Sequence, residues 1–132
     1  MLDRRRKTPF RDLANVGHPV AAGARIFRGA LVALNAAGFL VPGTATAGLT
    51  AVGCAEYDCD NREGADGERI AVVRFDGAHQ YLNDSDSPVT RTDIGSECFI
   101  LDDQTVSALG TDRSPAGQVV DVGADGVWVR IV

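Results

Sequence analysis

A chain of 132 residues, 45% hydrophobic and 23% charged, suits one folded domain around a single core, which argues against both a second domain and wholesale disorder. No apolar run approaches the ~20 residues that cross a bilayer, and Phe10-Arg11-Asp12 stands where a signal peptide would carry its apolar stretch, so the chain is expected to be neither membrane-spanning nor conventionally secreted. The net charge of −5 is unevenly spread: residues 1 to 28 hold seven basic side chains (Arg4, Arg5, Arg6, Lys7, Arg11, Arg25, Arg28) against Asp3 and Asp12, and the rest is strongly acidic. A basic leader on an acidic body can meet nucleic acid, an acidic surface or an acidic partner subunit, or it can simply be a solvated terminus.

Residues 1–18 show no sustained periodicity, and Pro9, Gly17 and Pro19 interrupt any helix, which predicts an extended arm. From Val20 onward, short β-branched and apolar runs are punctuated by Gly, Asp, Asn and Pro, the pattern of a sheet protein with tight connections. Ala30–Leu34 and Phe39–Val41 flank Asn35-Ala36-Ala37-Gly38, a hairpin loop, and Leu49–Ala55 is a further strand. Glu56–Gly67 is polar and glycine-containing and is expected to be a surface loop. Ile70, Val72 and Arg74 alternate with Ala71, Val73 and Phe75, and Asp76-Gly77 forms a turn or bulge before Tyr81-Leu82. Thr90-Arg91-Thr92-Asp93 has the spacing of a helix N-terminal capping motif, limited to one turn by Gly95. Asp102-Asp103 turns the chain between Cys98–Leu101 and Gln104–Val106. The terminal hairpin places Gln118, Val120 and Val122 on one face, turns at Gly123–Gly126, and returns with Val127, Val129 and Ile131 on one face and Trp128 and Arg130 on the other. With no helix long enough to cover a sheet, the fold class is all-β: a small barrel or sandwich over residues 19–132, preceded by the arm over residues 1–18.

The residue types that carry chemistry are sparse. His18 and His79 stand in no metal-ligand spacing, and the odd set Cys54, Cys59 and Cys98 lacks a Cys-x-x-Cys pair, so reduced, partly buried thiols are expected; Cys54 and Cys59 could meet only in oxidising conditions. Gly43–Thr50 has the glycine spacing of a phosphate-binding loop, but Leu49 replaces the essential lysine. Asp58–Gly64 fails the calcium-loop pattern at Arg62, and Asp84-Ser85-Asp86 is shorter still, so both are expected to be solvated acidic loops. Asn83-Asp84-Ser85 has the form of a glycosylation acceptor, which matters only in a secreted protein. No nucleophile, base or metal constellation can be assembled from spacing, so no enzyme, no metal and no cofactor are expected.

The run from Pro19 through Gly38, the segments Val41-Pro42, Gly48-Leu49 and Gly53–Glu56, Asp60-Asn61, the stretch Asp93–Val106, Arg113-Ser114 and Asp121–Ile131 together resemble small proteins encoded beside the major capsid gene in Mu-like and related tailed phages and prophages. These are capsid decoration, or cement, proteins. The resemblance covers nearly the whole chain, with Asp121–Ile131 its most specific part, and departs around Phe75–His79. It implies a β-barrel or β-tulip body, homotrimers, attachment to the major capsid protein on the capsid exterior, and a location in the virion after assembly in the bacterial host cytoplasm. The opening Lys7-Thr8-Pro9-Phe10-Arg11 is similar to the basic Thr-Pro opening of such proteins. With Arg4, Arg5 and Arg6 it gives the expected capsid-contact set: Arg4, Arg5, Arg6, Lys7, Thr8, Pro9, Phe10 and Arg11. No membrane, specific nucleic acid or small-molecule substrate is expected as a partner. The alternative is a β-barrel module that binds a receptor, a sugar or nucleic acid without catalysis; an aromatic content of only 6% offers no stacking platform beside the basic cluster.

Overall fold

A computed structural model describes residues 1–11 and 13–131; Asp12, counted above in the basic leader, and Val132 lie outside them. The body is almost entirely β. Its strands are β1 (Val16–Pro19), β2 (Arg25–Ile26), β3 (Leu31–Leu34), β4 (Leu40–Pro42), β5 (Thr50–Ala55), β6 (Cys59–Asp60), β7 (Ile70–Arg74), β8 (His79–Asn83), β9 (Glu97–Ile100), β10 (Thr105–Ser107), β11 (Pro115–Gly123) and β12 (Gly126–Arg130). They form an open sheet in the order β1-β7-β5-β3-β4, a closed five-stranded barrel in the order β10-β8-β12-β11-β9, and a two-stranded ribbon of β2 and β6. The expected all-β body with a small barrel is therefore the observed one.

The tight connections form where turn residues stand. Asn35 Oδ1 accepts from the N–H groups of Ala37 and Phe39, each at 3.0 Å, and Gly38 takes φ 87°, a conformation that costs glycine nothing. At Thr90, the backbone N–H donates to the Asp93 carboxylate at 2.8 Å, and a single 3₁₀ turn over Arg91–Asp93 follows. Gly126 opens β12 so close to β8 that a Cβ would collide with the Tyr81 carbonyl.

Several expectations need correction. Residues 16–18, assigned to the arm, belong to β1, which pairs antiparallel with β7 from Val16↔Val73 to Pro19↔Ile70. Cys59 and Asp60, read as loop, pair with Ile26 and Arg25. Asp76-Gly77 makes no hairpin: it carries the chain from the open sheet to the barrel, because β7 and β8 belong to different sheets. The terminal hairpin turns at Ala124-Asp125 as expected, but a bulge between Val119 and Asp121 shifts the register, so Gln118 and Val120 share the exposed face while Val122, expected beside them, packs against the barrel core.

Two apolar clusters hold the layers together. Leu31 and Ala33 of β3 enter the barrel core beside Tyr81, Cys98, Ile100, Val106, Val119, Val127 and Val129. The other face of the open sheet packs Val32, Leu40, Ala71 and Val73 against Val20 and Ile26. Ser114 links the layers, accepting from Leu49 N–H at 2.9 Å and donating to Thr46 O at 2.6 Å.

Both edges of the open sheet end in proline. Val20 N–H donates to Arg69 O, so Val16 and His18 direct their backbone groups toward β7, whereas Gly17 and Pro19 face away. At the other edge, Gly43 N–H donates to Leu31 O, which turns Leu40 and Pro42 away from β3. Proline has no N–H to offer at either place, and Val20 bridges Leu40 in parallel, with Ala21 N–H donating to Leu40 O at 2.9 Å, so the edges are poor templates for strand addition.

Candidate binding surfaces

Every residue from Met1 to Arg11 is exposed and lies in no helix or strand, so Arg4, Arg5, Arg6, Lys7, Thr8, Pro9, Phe10 and Arg11 all present their side chains to solvent. Phe10 is 94% exposed and Leu2 72%. Arg4 Nε lies 3.7 Å from Asp3 Oδ1, an exposed pair worth little. Burial first, and the Arg11 guanidinium second, hold the His18 imidazole below its ordinary value. Among the described residues no hydrogen bond ties Arg4–Arg11 to the body, and the structure does not gather them into a site with other side chains.

The acidic side lies on the segment from Glu56 to Glu68. Asp60 is engaged by its neighbour Arg62, with Nε 2.9 Å from Oδ1 and Nη2 2.8 Å from Oδ2, and those bonds hold its carboxyl far below the usual range. Asp58 accepts from Arg28 N–H and Asp66 from Ala22 N–H, so these carboxylates brace the β2 region. An open cleft of about 780 Å³ is lined by Asp60, Arg62, Glu63, Gly64, Glu68 and Arg69. Under it the buried Asn61 directs Nδ2 to three carbonyls, those of Val20, Ala21 and Ala65. Asn61 thus fastens the loop to the body.

A second cleft, of about 360 Å³, opens where the two sheets meet and is lined in part by Arg28, Cys54, Glu56, Arg74, Asp76 and His79. Arg74 Nε and Asp76 Oδ1 pair at 2.8 Å. Burial and the nearby Arg74 lower the His79 pKa, and burial raises that of Cys54. Behind Cys54 the Tyr81 hydroxyl is buried without a full hydrogen bond; burial chiefly, and the adjacent thiol, push the phenol well above its ordinary value. Among the described residues no three His, Cys, Asp or Glu side chains are placed to hold a metal ion.

The expected solvated loop at Asp84-Ser85-Asp86 is only half so. Asp84 is buried, accepting from Ser107 Oγ and from Asp86 N–H, while Ser85 and Asp86 are exposed. Asn83 is pinned in both directions to Val89, its amide donating to the carbonyl and its oxygen accepting from the N–H, each at 2.8 Å. All three cysteines are free thiols.

One surface lay outside the sequence-derived contact set. Val120, Trp128 and Leu82 are exposed on β11, β12 and β8, three adjacent strands of the barrel. The alternation of Trp128 and Arg130 with Val127 and Val129, and of Val120 with Val119, was a readable signal for it; the placing of β8 beside β12 was not. These surfaces offer charge, exposed apolar area and shallow clefts. No protein family, curated protein or solved structure matches the chain.

Proposed function

We propose that this chain is a capsid decoration protein of a tailed phage, binding the capsid exterior as a homotrimer and cementing neighbouring major capsid subunits, with no catalytic step of its own. The observation that carries the reading is the exposed basic segment from Arg4 to Arg11 joined to an acidic all-β body with a closed barrel. The resemblance along Pro19–Gly38, Asp93–Val106 and Asp121–Ile131 supports it. A ligand that bridges subunits favours the assembled shell by mass action, because it binds the assembled state and not the separated one. The fifteen residues before β1 span up to roughly 50 Å when extended, enough to cross a subunit boundary. On a capsid the arginines would meet carboxylates or carbonyls, and Phe10 would supply an apolar anchor.

The test adds purified protein to undecorated capsids at low and high salt. It compares the natural chain with one in which Arg4, Arg5, Arg6, Lys7 and Arg11 are replaced by Gln. The natural chain should occupy the shell with an affinity that falls as salt rises, and the neutralised chain should bind weakly at both salt levels, because exposed charges are screened over about 8 to 10 Å at physiological ionic strength. Equal occupancy by both chains under all conditions removes the role assigned to the segment, and no occupancy by either removes the decoration reading.

A further inference from the structure

Strand pairing is a poor route for one copy of this chain to join another. The barrel has no edge, the outward positions of both open-sheet edges hold Pro19 and Pro42, and the strands of the β2–β6 ribbon are only two residues long. A self-association surface is therefore made of side chains on a face. Around the barrel, Val119, Val127, Val129 and Tyr81 point into the core, so their neighbours Val120, Trp128, Arg130, Gln80 and Leu82 stand on the outer surface. Trp128 is paired in register with Asp121 on one side and Gln80 on the other. Val120 adjoins it at the bulge and Leu82 lies diagonally across from it, giving an apolar stripe over three strands whose members are 46%, 41% and 51% exposed in the order Val120, Trp128, Leu82.

We propose that this stripe, centred on Trp128, is the surface by which copies of the chain associate. The inference rests on the homo-oligomeric part of the reading above and names the surface responsible. Charge at its two ends selects the occupant. Arg130 follows Trp128 by two residues on the same face, and Asp125 stands at the opposite end, in the turn before β12. Neither makes an ion pair among the described residues, while Arg91 and Asp121 beside the stripe pair with each other at 3.2 Å. Around a three-fold axis each copy can bring its Asp125 to the Arg130 of the next, so that three such pairs close the ring. A uniformly acidic or uniformly basic partner would meet repulsion at one end. Exposed aromatic side chains flanked by arginine are the usual anchors of such contacts.

Trp128 is the chain's single tryptophan, so its fluorescence reports the surface directly. The experiment follows sedimentation and tryptophan emission against concentration for the natural protein alone, without capsids, and for Trp128→Glu, Asp125→Arg, Arg130→Asp and the double reversal Asp125→Arg/Arg130→Asp, with circular dichroism confirming each fold. The natural chain should associate with a blue shift of emission. Trp128→Glu and each single charge reversal should weaken association about tenfold or more, and the double reversal should restore most of it. Natural protein that stays monomeric with unshifted emission overturns the proposal, as does an oligomer indifferent to Trp128→Glu or a double reversal no better than the single ones. A blue shift seen only when capsids are added also overturns it, and assigns the stripe to the capsid protein. Because capsid occupancy is measured separately, loss of the decoration reading leaves this result standing.

Discussion

Ser107 Oγ donates a 2.8 Å hydrogen bond to the Asp84 carboxylate across 23 residues of sequence, and both side chains are buried. Ser107 Oγ also accepts from Leu109 N–H at 3.0 Å, and the Arg113 guanidinium lies 3.8 Å from Asp84, so the bond ties the end of β8 to β10 and to the loop beyond it. Backbone bonds and this hydroxyl hold the Asp84 pKa below its ordinary value of 3.8. A carboxyl depressed in the folded state contributes stability that is present above the unfolded value and lost as pH falls through the folded one. Asp84→Asn should cost about 1–3 kcal/mol at neutral pH and lessen the loss of stability below about pH 4. Urea denaturation at pH 7 and pH 3 measures both; an unchanged midpoint at pH 7 would remove Asp84 from the set of structural groups.

Asn61 is the equivalent fastening for the acidic loop. Its side-chain N–H groups face three carbonyls from two separate segments, and its own oxygen is buried against Gly64, where a Cβ would collide with it. Asn61→Asp would set carboxylate oxygens against those carbonyls and should destabilise by about 2–4 kcal/mol, more than Asn61→Leu does through steric misfit alone. The comparison is of denaturation midpoints, and equal losses for the two variants would mean that packing, not hydrogen bonding, is what Asn61 provides.

How much of this was legible in the sequence depended on the range of the interaction. The hairpin at Asn35–Gly38, the turn at Asp102-Asp103 and the capped turn at Thr90 were readable because the residues that make them lie within four or five positions of one another. The β2–β6 ribbon was not, since Arg25 and Asp60 are distant in sequence and two-residue strands carry no period. A bulge defeats alternation by construction: one extra residue after Val119 left Gln118 and Val120 together on the outer face but turned Val122, expected beside them, toward the core. Asp84 looked like any loop aspartate because its burial depends on Ser107. For the candidate contacts, the charge of Arg4–Arg11 was plain in the sequence, but the outer-face stripe needed three strands to be set side by side.

Pro19 and Pro42 occupy positions on the two edge strands of the open sheet whose missing N–H faces away from the neighbouring strand, so replacing them should leave the sheet's internal bonds intact. Pro19→Val/Pro42→Val should keep the fold, with stability within about 1 kcal/mol of the natural chain, yet add a free donor to each edge and promote edge-to-edge assembly. Size-exclusion chromatography and light scattering of the double variant on prolonged incubation would detect it. Unaltered solubility at high concentration would show that the edges are guarded by something other than proline.

The thiols carry the last prediction. Cys98 is fully buried in the barrel core, its Sγ 3.6 Å from the Gly117 carbonyl, and burial pushes its pKa up to about 12. Cys54 and Cys59 are half-buried and are raised as well, burial being the main cause for each. A thiol whose folded pKa exceeds its unfolded value contributes stability that is whole below the unfolded value and is lost as pH rises toward the folded one. Stability should therefore hold from neutrality to about pH 9 and then decline, and Cys98→Ala should flatten that decline while costing about 1–2 kcal/mol at neutral pH for the volume it empties. In native protein a thiol reagent at pH 8 should modify Cys54 and Cys59 and spare Cys98 until the barrel opens, since the attacking species is the thiolate and Cys98 is both protonated and enclosed. Thermal melts across pH 7 to 10.5 and mass-spectrometric counting of modified cysteines test the two halves separately, and labelling of Cys98 at the rate of the other two would show that the barrel core is open to solvent.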